Sequence, residues 1–362
     1  MKIVCIGDLL LPPEMMEKGI EGFVRYDEKK FFYFGPKSHE EMRVYIKNME
    51  TTGSRCVPVP DKIMREIRDA DVIQTHQCPI PSQVFEEAEC LKLLLTNRGG
   101  IENIDLEAAT KAGIPVIANP AHNANAVAEM TIGLMIAETR NIGRCHASMQ
   151  AHHRWLETFP NFGRIHEMKG RTVGIIGFGT IGRTVARLLA AFQVKLLVYD
   201  PYVKEAEVLE AGGEAVSLEE LLKRSDIVSM HARVSETSRG MMGREQFRMM
   251  KETAVFINTA RSPLVDMDAL YEALKERWIT GAAIDNYEVE PVPMDSPLFE
   301  LDNLTFSCHK SGDTVEAFAD SPAMVLGQAE RYFAGEMPRF LMNPTLFRSG
   351  SPERIKVMGC FF

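Results

Sequence analysis

Nowhere do two cysteines stand at Cys-x-x-Cys spacing, and the seven present (Cys5, Cys56, Cys78, Cys90, Cys145, Cys308, Cys360) are odd in number and scattered. This argues against a disulfide framework or a thiolate zinc site and suits a reducing, cytoplasmic location. A His-Glu-x-x-His motif is missing too, and His146, His152 and His153 lack acidic or cysteine neighbours at ligand spacing, so no metal is expected. No stretch reaches the roughly 18 apolar residues that span a bilayer. The N-terminal MKIVCIGDLLLPPE, broken by Asp8 and two prolines, reads as a first strand and not an export signal. Basic residues are in deficit: 41 Lys and Arg against 50 Asp and Glu leave a net charge of −9, which recommends neither nucleic acid nor a membrane surface as partner. There is no internal repeat or low-complexity tract. With 45% hydrophobic and 25% charged residues over 362 positions, a globular protein of two domains is expected.

Short apolar runs alternate with helical patterns, which gives an α/β protein with parallel sheets, because each parallel crossover needs a helix to return the chain. The spacing predicts strands over Lys2–Ile6, Asp71–Gln74, Leu91–Leu95 and Pro115–Ile117. A second series follows: Thr172–Ile176, Lys195–Tyr199, Asp226–Met230, Ala254–Ile257, Gly281–Ile284 and Leu304–Ser307, the six strands of a dinucleotide-binding sheet. Residues 17–60 mix aromatics with charges and show no clean period. Between the two series, AVAEMTIGLMIAETRNI from Ala126 to Ile142 is apolar at mixed spacings and predicts a helix buried nearly all round, of the kind that sits between two units. Gly143–Gly170, rich in His, Arg and Asn, reads as an exposed arm.

The run TVGIIGFGTIGRTVARLLAAF sets Gly177, Gly179 and Gly182 as G-x-G-x-x-G between a strand and a helix. Gly177 can make the tight turn, Gly179 leaves room for a pyrophosphate, and Gly182 lets helix and strand pack closely. Amides at the helix start, at Thr180 and Ile181, then face the phosphates. Asp200 ends the next strand, 18 residues beyond Gly182, where its carboxylate can accept from a ribose diol and repel a 2′-phosphate. That favours NAD over NADP. Arg183 and Lys204 are read as solvated charges.

Three later segments each put polar groups at a strand end, the edge where open α/β sheets bind ligands. They are FINTARSPLVD with Arg261, AAIDNYEVEP with Asp285 and Glu290, and LTFSCHKSG with His309. Thr259 and Ala260, just before Arg261, are assigned to the cofactor. Arg261 offers a fork of donors that matches a carboxylate. His309 has an intrinsic pKa near 6.5, and Glu290, hydrogen-bonded to it, would orient the ring and raise that value. An arginine, a histidine and a carboxylate beside a nicotinamide are what hydride transfer to a 2-oxo acid requires. Singly, each has a duller reading as a surface ion pair or a satisfied cap.

From about Leu91 to Gly312 the chain resembles the D-isomer-specific 2-hydroxyacid dehydrogenases. The resemblance is carried by RGGIENIDLEAATKAGIPVIANP, the long apolar helix, GFGTIG, YDP, MKETAVFINTARSPLVD, GAAIDNYEVEP and HKSG. It implies doubly wound parallel sheets in two domains, with a Rossmann-type cofactor domain (123–313) inserted into a flavodoxin-like substrate domain formed by 1–122 and 314–346, and a tail at 347–362. It further implies Arg261, Glu290 and His309 as the catalytic residues, Asp285 as a contact to the nicotinamide carboxamide, and Gly99 and Gly100 as amide donors to the substrate carboxylate. The small-molecule partner is a 2-hydroxy or 2-oxo acid, and a homodimer is expected through residues 126–170.

Three positions depart from the pattern. Arg98 stands where small residues are common, ARSP replaces ARG with an apolar pair, and Asn286 sits where an aliphatic is usual. Arg98 either pairs with a second anionic group on the substrate or bridges the domains. Relatives of the family include corepressors that bind NAD without turnover, so a non-enzymatic NAD(H) sensor is the alternative to a dehydrogenase.

Overall fold

The runs VIQT, LLLT, IVSM and VFIN are buried at all four positions, the burial of parallel strands covered by helices on both faces. In the computed structural model, which describes residues 1–347, these strands belong to two units. One comprises Met1–Asn123 and the segment from Thr314 onward; the other is Ala124–Asp313.

The first unit holds a five-stranded sheet of β1 (Lys2–Gly7), β2 (Glu28–Tyr33), β3 (Val72–Thr75), β4 (Leu93–Thr96) and β5 (Val116–Ile117). All pairs are parallel in the order β2-β1-β3-β4-β5, the flavodoxin-like order. The region whose pattern was unreadable supplies β2 and the helix His39–Thr52, whose start is capped by Ser38 accepting from the Glu41 amide. The segment from Thr314 returns to this unit, and its helix Ser321–Phe333 packs Val325, Leu326 and Ala329 into the core under β1 and β4. Phe347, expected in the tail, instead closes the short helix Pro344–Phe347 and packs edge-on against Tyr332. The remainder of that tail lies outside the described residues.

The second unit holds β6 (Thr172–Ile176), β7 (Lys195–Tyr199), β8 (Gly213–Ala215), β9 (Ile227–Met230), β10 (Val255–Asn258), β11 (Gly281–Ile284) and β12 (Leu304–Phe306). Their order is β12-β11-β10-β9-β6-β7-β8, again wholly parallel. There are seven strands where six were expected. The extra one, β8, is a three-residue edge strand, Gly-Glu-Ala, with no apolar run to announce it. Gly174 lies inside β6, where a Cβ would come within 2.4 Å of Ser225 Oγ and 2.5 Å of Leu221 Cδ2, so the missing side chain lets the helix Leu218–Arg224 close on the sheet.

The long apolar helix spans Ala124–Thr139 and packs on the helix Thr180–Leu189 and on β10 to β12. It is therefore a layer of the second unit. Asn141 at φ 57° breaks the chain, and a second helix runs over Ile142–His152, so the first part of the expected arm is helical. Among the described residues no helix is long and apolar enough to cross a membrane.

Candidate active site

β6 ends at Ile176, and Gly177 turns the chain at φ 93°, a left-handed conformation that glycine adopts without penalty. A Cβ there would lie 2.5 Å from the Ala232 amide nitrogen, so the segment that follows β9 approaches this turn too closely for any side chain. A Cβ on Gly182 would lie 2.2 Å from the Gly177 carbonyl oxygen, whereas one on Gly179 would meet nothing within 4 Å. The helix Thr180–Leu189 begins behind Gly179 with no side-chain cap, leaving the amides of its first turn, at Thr180, Ile181 and Gly182, without intrahelical acceptors. This cradle, open at Gly179 and closed at Gly177 and Gly182, fits a dinucleotide pyrophosphate. It also lies at the switch point of the sheet, between β6 and β9.

Asp200 follows β7 and fastens the turn: Oδ2 accepts from the Phe178 amide at 2.7 Å and Oδ1 from the Tyr202 amide at 2.9 Å. Arg183 stays partly exposed but has partners. Its guanidinium pairs with Glu207 at 2.7 Å and lies 4.7 Å from the centre of the Phe178 ring, so both its charge and its planar face are already engaged.

Arg261, Asp285 and His309 follow the carboxyl ends of β10, β11 and β12, three adjacent strands whose last residues Asn258, Ile284 and Phe306 lie in register. Asn258 organises the first turn, its Oδ1 accepting from the Ala260 amide and its Nδ2 donating to the Arg261 carbonyl. The Arg261 guanidinium donates to the Ala260 carbonyl at 2.7 Å and has no carboxylate partner among the described residues. Thr259 is buried and hydrogen-bonded through its hydroxyl to Thr131 at 2.7 Å.

His309 sits at φ 53°, uncommon for a residue with a Cβ. Its Nδ1 meets Glu290 Oε2 at 2.8 Å, and Glu290 Oε1 accepts from the Tyr287 amide at 2.9 Å. The carboxylate is thus fixed to its own loop and the imidazole to the carboxylate, with the pair half-exposed. Asp285 is 1% exposed, and its two oxygens accept the amides of Lys310 and Ser311, each at 3.0 Å. Burial pushes its pKa up, yet the donors of Ser311, Ser307 and Lys310 outweigh that, holding it below the usual carboxylate value. Its evident task is to anchor the loop that carries His309.

In the first unit Arg98, Gly99 and Gly100 follow β4. The Gly99 and Gly100 amides have no acceptor among the described residues. Arg98 does have a partner: Glu102 at 3.3 Å, with the guanidinium also 3.8 Å from Met49 Sδ and its side chain only 12% exposed. A substrate anion would have to compete with Glu102, whose carboxylate also lies over Gly100.

Asn258 and Asn286 were missed as supports of the Arg261 turn. Asp8 and His76, joined at 2.8 Å in the first unit, were missed as well. The signal was available, since both Asp8 and His76 directly follow strands, as the three candidates of the second sheet nearly do.

The family model described as "D-isomer specific 2-hydroxyacid dehydrogenase, NAD binding domain" matches residues 132–311. A glyoxylate reductase of Thermofilum pendens is 36% identical over 304 residues, covering 83% of this chain and 89% of that protein. A D-3-phosphoglycerate dehydrogenase of Methanocaldococcus jannaschii is 37% identical over 303 residues, covering 82% of this chain and 57% of the relative. Among solved structures, D-lactate dehydrogenase from Escherichia coli superposes with a TM-score of 0.67 at 26% identity, covering 94% of this chain and 100% of that one.

Proposed function

The chain belongs to the D-isomer-specific 2-hydroxyacid dehydrogenases, with an NAD-binding domain over residues 132–311, and from that premise we propose that it interconverts a D-2-hydroxy acid and its 2-oxo acid. Arg261 takes the substrate carboxylate in a forked pair, and in the first unit the free amides of Gly99 and Gly100 are donors suited to a carboxylate. His309 gives a proton from Nε2 to the oxygen on C2 in the reducing direction and takes it back in the oxidising one. Glu290 holds the ring by Nδ1, so that Nε2 is the nitrogen presented to substrate. Bound NADH supplies the hydride. Gly177, Gly179, Thr180, Ile181 and Gly182 cradle its phosphates, Asp200 its ribose, and Thr259 and Ala260 line the nicotinamide end. Asp285 anchors the His309 loop through one amide on each oxygen and keeps acceptor capacity for the nicotinamide carboxamide.

The observation that carries this reading is the pairing of His309 Nδ1 with Glu290 at 2.8 Å on the strand edge that also bears an unpaired Arg261. A lone strand-end histidine needs no carboxylate fixed behind it; a proton donor does. Oxidation of NADH in the presence of a panel of 2-oxo acids tests the proposal. Turnover that disappears in Arg261→Ala supports it. Tight NADH binding without turnover of any acid would select the NAD(H)-sensing alternative.

A further inference from the structure

β12 is the outermost strand of the second sheet, only three residues long and paired with β11 alone. Three residues past its end stands His309, whose left-handed backbone is tenable only where its surroundings hold it. A short ladder on one side is slender support for such a residue.

A second support reaches β12 from the long helix Ala124–Thr139. Glu138, in the last turn of that helix, is 2% exposed, and its Oε2 accepts the Thr305 hydroxyl from the middle of β12 at 2.6 Å. The Arg144 guanidinium grips the same carboxylate through Nη2, at 2.9 Å from Oε1 and 3.0 Å from Oε2. Its Nε donates to the Asp302 carbonyl on the approach to β12 at 2.5 Å, and Nη1 donates to Asn141 Oδ1 at 3.3 Å. β11 makes room for the pair, since a Cβ on Gly281, its first residue, would collide with Glu138 Oε1. The carboxylate is thus seated against the start of β11 and bonded to β12, the two strands whose far ends lead to Glu290 and His309.

Stability alone does not account for this arrangement. A buried ion pair adds little that apolar side chains of like size could not supply, and its best-attested use is to fix a register. Burial raises the Glu138 pKa, and the charge of Arg144 is the chief influence opposing it. Among the described residues, every hydrogen bond that the pair makes with the sheet goes to β12 or its approach.

We propose that Glu138 and Arg144 are positioning residues for the reaction: acting through Thr305 and Asp302, they fix β12 against β11 and so set the reach of His309 Nε2 toward the substrate. The inference rests on the 2-hydroxyacid dehydrogenase reading, in which His309 is the proton donor. Because Arg144 belongs to the helix Ile142–His152, that helix becomes part of the support.

Glu138→Ala would strand the guanidinium and threaten folding, whereas Thr305→Val keeps the shape and the ion pair and removes one hydroxyl. With the full chain and the 2-oxo acid it turns over best, Thr305→Val is expected to lower kcat about tenfold, the scale of a slightly misplaced catalytic group, while KM and the dissociation constant of NADH stay within about twofold. Thr305→Ser, which keeps the hydroxyl, restores kcat. Hydrogen exchange read by mass spectrometry needs no turnover: in Thr305→Val the segment 304–311 should exchange faster and the glycine cradle, 177–190, should not change. Should Thr305→Val fail to fold, Arg144→Lys, which keeps the charge and loses the fork, gives the same two readings. A merely structural tie lowers the urea midpoint and leaves kcat of the folded protein as it was; that outcome, or exchange quickened alike in both segments, overturns the proposal. Loosening of 304–311 alone in a protein that turns over no 2-oxo acid would leave the tie on β12 standing and remove the dehydrogenase reading instead.

Discussion

Asn258 and Asn286 exchange hydrogen bonds across the carboxyl ends of β10 and β11: Asn258 Nδ2 donates to Asn286 Oδ1 at 3.3 Å, and Asn286 Nδ2 donates to the Asn258 carbonyl at 3.4 Å. Both are buried. Asn258 also holds the turn that leads to Arg261, so Asn286, the residue that replaced an aliphatic, acts on the guanidinium through it. Asn286→Val should leave one Asn258 donor less well satisfied, costing about 1–3 kcal/mol for a buried polar group. Urea denaturation is expected to show a lower midpoint with an unchanged slope. A raised KM for the 2-oxo acid, with kcat less affected, should accompany it.

His309→Ala removes the proton donor and leaves the glycine cradle intact. NADH binding followed by fluorescence should be unchanged, while kcat falls by roughly 10²- to 10⁴-fold, the usual consequence of losing a general acid. Glu290→Gln keeps an oxygen for the Tyr287 amide or the imidazole and should lose less. A kcat equal to that of the unmodified protein in His309→Ala would remove the residue from the reaction.

The elements readable beforehand were those whose residues are enclosed on both faces. VIQT, LLLT and VFIN are runs that only a covered parallel sheet accommodates, and the three glycines at 177, 179 and 182 need a strand before and a helix after them. What could not be read lies at edges and in pairings between distant residues. β2, EKKFFY, is partly exposed along its length and carries charges at an edge, which hides its period. The break at Asn141 falls just before the end of the expected helix, and the second helix lies in a polar stretch that reads as an arm. Asp8 meets a histidine 68 residues away, a pairing that the strand ends suggest but no spacing fixes, whereas Arg98 meets Glu102 only four positions on. Arg98 was singled out for its charge, and its fate depended on a neighbour.

Asp200 has two tasks, and its substitution should separate them. As anchor of the Phe178 amide it shapes the phosphate turn, a task indifferent to the 2′ position of the cofactor. As acceptor for a ribose diol it favours NAD alone. Asp200→Ala should therefore weaken both cofactors, with NAD losing about tenfold more than NADP, the scale of a charge-assisted hydrogen bond. Dissociation constants measured by fluorescence titration give that ratio. Arg183 should not rescue NADP fully, because Glu207 already holds it.

The helix Ile142–His152 and the stretch after it expose Met149, Trp155 at 76% and Phe162 at 67%, an unusual density of apolar surface for one segment. A second copy of the chain is expected to cover it. Trp155→Glu with Phe162→Glu should shift the mass measured by light scattering from two chains toward one. An unchanged mass would exclude this segment as the interface.

His231 links stability to pH at the edge of the cofactor turn. It follows β9, its amide donates to the Ile176 carbonyl at 2.7 Å, and its Nε2 pairs with Ser229 Oγ at 2.8 Å while Nδ1 is enclosed without a partner. Burial pushes its pKa down to about 3. Above the ordinary histidine value near 6.5 the ring is neutral in both folded and unfolded chains and contributes no pH dependence. Between about 6.5 and about 3 the unfolded chain binds a proton that the folded one refuses, so stability falls as pH is lowered through this window. Below it both states are protonated and the loss is complete. His231→Gln, which keeps a polar group for Ser229 but cannot titrate, should flatten the decline by one proton's worth of slope. Chemical denaturation of both proteins at a series of pH values across the window measures the difference, and parallel curves would show that the ring titrates alike in the two states.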